Sequence, residues 1–126
     1  MLKTLGRILL ASMFISGGAS SFQNPDSRVP KVEDAGIPDA RRATILNATI
    51  MMVAGMLLAV GILPKLAATA LVGTLLPTTF VGHPFWKEQD PAGRAGQRVH
   101  FFKNLALLGG LLLVLADKEN EEEEEL

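Results

Sequence analysis

The chain contains no cysteine, no tyrosine and a single tryptophan, and its four long apolar blocks hold no aspartate or glutamate. Without cysteine there is no thiol–disulfide chemistry, iron–sulfur ligation or thiolate zinc site. Without tyrosine there is no tyrosyl proton or radical chemistry. Carboxylates at membrane depth are what proton relays and cation-coupled transporters use, so their absence argues against both, and against a two-carboxylate hydrolase. No Ser/His/Asp set, phosphate-cradling glycine loop or metal-binding motif appears. The sequence therefore supplies no catalytic residues, no metal ligands and no sign of a cofactor. The net charge of -1 gives no overall attraction to nucleic acid.

What is present is apolar length. The 126 residues suggest one domain, and the 48% that are apolar are gathered into blocks instead of dispersed on periodic faces. The first block runs from Ile8 to about Phe22 behind Lys3 and Arg7. Basic flank, apolar middle and small-residue exit also describe a secretory signal peptide. We read it as a first span, with Leu2 to Leu5 completing the length. The second block, Ala43–Leu63, follows Arg41–Arg42, and Pro64–Lys65 makes a short turn into the third, Leu66–Val81. The fourth, Val99–Ala116, opens with His100, Lys103 and Asn104 and is wholly apolar afterwards. Each is long enough to cross a hydrocarbon core.

The expected fold is all-α, an integral membrane four-helix bundle of residues 1–117 with spans at about 3–22, 42–63, 65–82 and 98–117. Pro77 predicts a bend in the third span, its freed carbonyl met by Thr78, Thr79 or a neighbouring helix. Residues 118–126, with Glu121 to Glu125 in a row, form an acidic tail expected to be disordered alone or to meet a basic partner. Lysine and arginine are denser on the two long connections (residues 23–40 and 82–98) than at the opposite side. The positive-inside rule then places those connections in the cytoplasm and both termini outside. Small residues four apart recur at Ser12/Ser16/Ser20, Gly55/Ala59, Thr69/Gly73 and Ala106/Gly110, a spacing compatible with close helix approach.

His83-Pro84-Phe85-Trp86, then Asp90-Pro91, then the run from Gln97-Arg98-Val99-His100-Phe101-Phe102-Lys103-Asn104 to Gly110 resemble the DoxX family of small membrane proteins. Arg7-Ile8-Leu9-Leu10 with Ser16-Gly17-Gly18 resembles that family's first helix, and the similarity extends to about Asp117. The resemblance implies a four-helix membrane fold. It also implies association with membrane redox systems, including quinol oxidases and thiosulfate:quinone oxidoreductases. The expected partners are the lipid bilayer and other subunits of a membrane redox complex, in the cytoplasmic membrane of a prokaryote, with a structural or accessory role.

The topology gives one constellation. The second and fourth spans start, and the third ends, at one membrane face, bringing Asn47, His83, Trp86, Arg98, His100, Lys103 and Asn104 to about one level. A quinone head group needs hydrogen-bond donors beside apolar walls. Asn47, Trp86, His100, Lys103 and Asn104 are the candidate contacts for a quinone or a partner. The competing reading makes the same residues interfacial anchors and interhelical hydrogen bonds. Axial ligation of a haem by the two histidines needs them to face each other across the bundle. Arg7 reads as a snorkelling anchor; if turned inward it needs a polar or anionic partner.

Overall fold

An apolar run in lipid has no water to satisfy its backbone, so each N–H and C=O must bond within the segment, and the segment is helical. The computed structural model describes residues 1–118. It contains α1 (Leu2–Gln23), α2 (Val29–Asp34), α3 (Ala40–Val60), α4 (Pro64–Gly82) and α5 (Pro91–Ala116). Short 3-10 turns at Pro25–Ser27 and Phe85–Lys87 lie in the two long connections, and there is no strand among the described residues. The helices α1, α3, α4 and α5 are each long and apolar enough to span a bilayer. The chain is a multi-pass, all-α membrane protein. The glutamate tail, residues 119–126, lies outside the described residues.

Two elements differ from expectation. The last helix begins at Pro91 and not near 98, because Asp90 caps it: its Oδ2 accepts from the Gly93 N–H at 2.9 Å, and Pro91 takes the first helical position. The first long connection is not a plain loop but carries α2, with Pro30 tolerated in its first turn. Expected and observed boundaries of the other spans agree closely, and α4 continues as one helix through Pro77. Thr78 and Thr79 bond back to the carbonyls of Thr74 and Leu75, at 2.8 and 2.6 Å.

The helices pack in chain order, α1 on α3, α3 on α4 and α4 on α5, while α1 and α5 scarcely touch. Phe14, Leu58, Leu71 and Leu111 fill the centre with Ala11, Ala54, Ala67 and Ala68. Closest approach is between α1 and α3. A Cβ at Gly18 would lie 2.8 Å from the Ala48 carbonyl oxygen, and one at Gly55 2.9 Å from Ile15 Cγ1. Of the small residues singled out above, Gly55 serves close packing and Gly110 meets Leu10, but nothing lies within 4 Å of a Cβ at Gly73. Ser12, Ser16 and Ser20 are exposed; the buried stripe of α1 is Ala11, Phe14 and Gly18. The α3–α4 turn is tight, with Gly61 (φ 76°) and Leu63 (φ 47°) both left-handed before Pro64. Lys3 and Asp117 form an ion pair of 3.0 Å that joins the start of α1 to the end of α5.

Candidate functional site

At the face where α3 and α5 begin and α1 and α4 end, the bundle opens into a cavity of about 610 Å³. Its inner wall is apolar: Phe14 from α1, Met51 from α3, Leu75 from α4 and Leu107 from α5. Its outer part is polar, with Asn47, His83, His100, Lys103 and Asn104 and, from the first long connection, Arg28 and Lys31. No carboxylate lies among the described lining residues. The site is a greasy chamber with a rim of donors and cations.

Each polar group is held by its element. Asn47 faces α4, and its Nδ2 donates to Thr78 Oγ1 at 3.0 Å, just beyond Pro77. The carbonyl oxygen of Asn47 is then the acceptor the residue retains. On α5, His100, Lys103 and Asn104 share one face by their three- and four-residue spacing. Lys103 Nζ donates to His100 Nδ1 at 3.5 Å. An ammonium only donates, so Nδ1 is the accepting nitrogen and Nε2 carries the proton. Lysine thereby prepares His100 as a donor. Asn104 is buried, whereas His100 stands toward the opening.

The roof is α2. Lys31 Nζ donates to the Gly82 carbonyl at the end of α4 at 2.9 Å, and Arg28 reaches Ser20 Oγ on α1 at 3.3 Å. Both cations are held by neutral oxygens in these contacts, so they add positive potential to the opening. Sequence reasoning missed Arg28 and Lys31 as lining residues. Their three-residue spacing, from the N-cap into a short helix, was the available signal, masked by Pro25 and Pro30.

Four of the five predicted contacts, Asn47, His100, Lys103 and Asn104, line this cavity. Trp86 does not. It is 46% exposed and packs on Phe80, Phe85 and Phe101, with ring centroids 6.4, 5.3 and 5.7 Å away. Arg98 likewise lies over the Phe85 ring at 5.3 Å, a cation–π contact outside the cavity. His83 and His100 stack nearly parallel, centroids 5.0 Å apart and planes inclined 22°, while His83 Nδ1–H donates to Gln97 Oε1 at 2.7 Å. Stacked rings cannot aim their nitrogens at one iron from opposite sides of a porphyrin, so the pair does not form a bis-histidine haem site.

Comparison with known proteins adds one finding. A family model described as DoxX matches residues 2–84, about two thirds of the chain. The match covers α1 to α4 and ends before the His100–Gly110 string of α5. Comparison with curated proteins and with solved structures gives no match.

Proposed function

The chain belongs to the DoxX family, and from that premise we propose that it is an accessory membrane subunit that holds a quinone for a membrane redox complex. The observation that carries this reading is the 610 Å³ cavity, in which an apolar chamber meets a carboxylate-free rim of donors. A quinone matches both halves: its isoprenoid side takes the Phe14, Met51, Leu75 and Leu107 wall, and its carbonyls accept hydrogen bonds at the rim.

In this reading the His100 Nε2–H donates to one quinone carbonyl, and Lys103 holds the imidazole in the donating tautomer. Lys103, Lys31 and Arg28 stabilise the negative charge that builds on the head group as it is reduced. Asn47, its amide nitrogen donating to Thr78 and Met51, keeps its carbonyl oxygen to accept from the hydroxyl of the reduced quinol. The electrons come from partner subunits, and this chain's part is to bind, orient and polarise. A prokaryotic cytoplasmic membrane with the α2 face in the cytoplasm belongs to the same proposal, supported by the lysine and arginine excess at that face.

The test is the affinity of a short-chain ubiquinone or menaquinone analogue for the purified protein in mild detergent, measured by titration calorimetry. Replacing one donor in a dry site costs about 1–3 kcal/mol. His100→Ala and Lys103→Met should each therefore weaken binding by roughly tenfold or more. Phe102→Leu, on the exposed side of α5, should leave it unchanged. Equal affinities across all four proteins would contradict the quinone site. Mass spectrometry of proteins that co-purify under the same conditions checks the accessory role: the reading expects a flavin-, haem- or copper-bearing partner.

A further inference from the structure

Arg7 carries a permanent charge within a membrane helix, and such a side chain ordinarily stretches toward the headgroups. Here it does not. Its Nε is fully enclosed and has no hydrogen-bond partner among the described residues. Its Nη2 reaches Thr4 Oγ1 only at 3.5 Å. The guanidinium is folded against the α3–α4 turn, so closely that a Cβ at Gly61 would lie 3.1 Å from Nη2 and 3.4 Å from Cζ. The C-terminal end of α3 offers a partial negative charge there, which favours the cation without neutralising it.

Beside Arg7, at the face opposite the quinone cavity, a notch of about 300 Å³ lies between α1 and α5. It is lined by Lys3, Gly6, Leu10, Gly110 and Asp117 as well as Arg7. The notch exists because α1 and α5 hardly meet and because two of its walls are glycine. Lys3 and Asp117 pair at 3.0 Å, and among the described residues no carboxylate pairs with Arg7. Leu113, 74% exposed, lines the opening with apolar surface.

We propose that this notch binds a phosphate group, the chemistry shared by an anionic phospholipid head and free phosphate, with Arg7 as its ligand. The two terminal nitrogens of the guanidinium, Nη1 and Nη2, form a fork that matches two phosphate oxygens end-on. A phosphate there neutralises the charge through the terminal nitrogens, and an acyl chain lies along the exposed Leu113 side of the opening. The site stands apart from the quinone reading and shares no residue with it.

The experiment uses the full chain in a neutral maltoside detergent. Native mass spectrometry and thermal unfolding are followed while phosphatidylglycerol, inorganic phosphate or oleate is added. Phosphatidylglycerol is expected to be retained and to raise the melting temperature, and Arg7→Gln should weaken that binding about tenfold. Gly6→Leu keeps the charge but fills the notch, where a Cβ meets nothing within 4 Å, and should weaken binding comparably. Arg98→Gln removes a cation at the other face and should change nothing. Binding of the lipid alone identifies a headgroup site, and binding of inorganic phosphate as well identifies a free-anion site. Undiminished binding in both Arg7→Gln and Gly6→Leu overturns the proposal, as does an equal loss in Arg98→Gln or equal affinity for oleate.

Discussion

Gly18 and Gly73 are both glycines inside membrane helices, yet only one is required by its neighbours. At Gly18 an added methyl would stand 2.8 Å from a backbone oxygen and from Met52 Cγ, and a backbone oxygen on a packed helix cannot step aside. At Gly73 it would meet nothing within 4 Å. Gly18→Ala should therefore cost about 1–3 kcal/mol as α1 is pushed off α3. Gly73→Ala should be neutral or stabilising by up to about 1 kcal/mol through helix propensity. Thermal unfolding of both variants in the same detergent checks the contrast. Spacing alone pointed at Gly73 as readily as at Gly55, because a four-residue repeat of small residues does not say which face meets a helix and which meets lipid.

Among site residues the same distinction holds. Asn47, His100, Lys103 and Asn104 were legible because lipid penalises unpaired polar groups, which therefore turn inward at the ends of apolar blocks. Trp86 was misplaced because an aromatic near a polar cluster has two ways to be satisfied, and three phenylalanines claimed it. Which of them stands at packing distance is a tertiary fact absent from linear order.

At the scale of elements, the four spans were readable from the lengths of their apolar runs, since hydrocarbon thickness fixes how long such a helix must be. What failed lay outside the bilayer rule. Residues 82–98 read as a polar connection, but Asp90-Pro91 is an N-cap followed by a residue suited to the first turn, and the helix starts there. Asp90→Ala should destabilise this first turn by about 0.5–2 kcal/mol. Hydrogen exchange of the amides of residues 92–97 should then speed up, while those of residues 105–112 keep their protection. Helix α2 was hidden for a similar reason: two prolines in a polar stretch read as breaks, though a proline in a first turn breaks nothing. Missing α2 meant missing the roof of the cavity, with Lys31 on it and Arg28 at its N-cap.

At the scale of the whole molecule, the bundle has two unlike ends. One end is roofed by α2 and holds a large cavity rich in donors and cations. The other is closed by the Lys3–Asp117 pair and leaves Arg7 beside a small notch. Between them lies a core of alanine with a few large side chains, stiff enough to hold both ends in place. In lipid the transfer of apolar area adds little, so this core is held by close fit. Leu71→Ala should consequently cost near the lower limit for buried leucine, about 2 kcal/mol, measurable by the same unfolding experiment. The central claim is that the roofed cavity is a quinone site. Photolabelling with an azidoquinone, followed by peptide mapping, tests it most directly. The account predicts adducts on α3 between Thr44 and Met51 and on α5 between His100 and Leu107, suppressed by excess unlabelled quinone. Labelling confined to the exposed apolar faces, such as Val53 or Leu113, and unaffected by the competitor would contradict it.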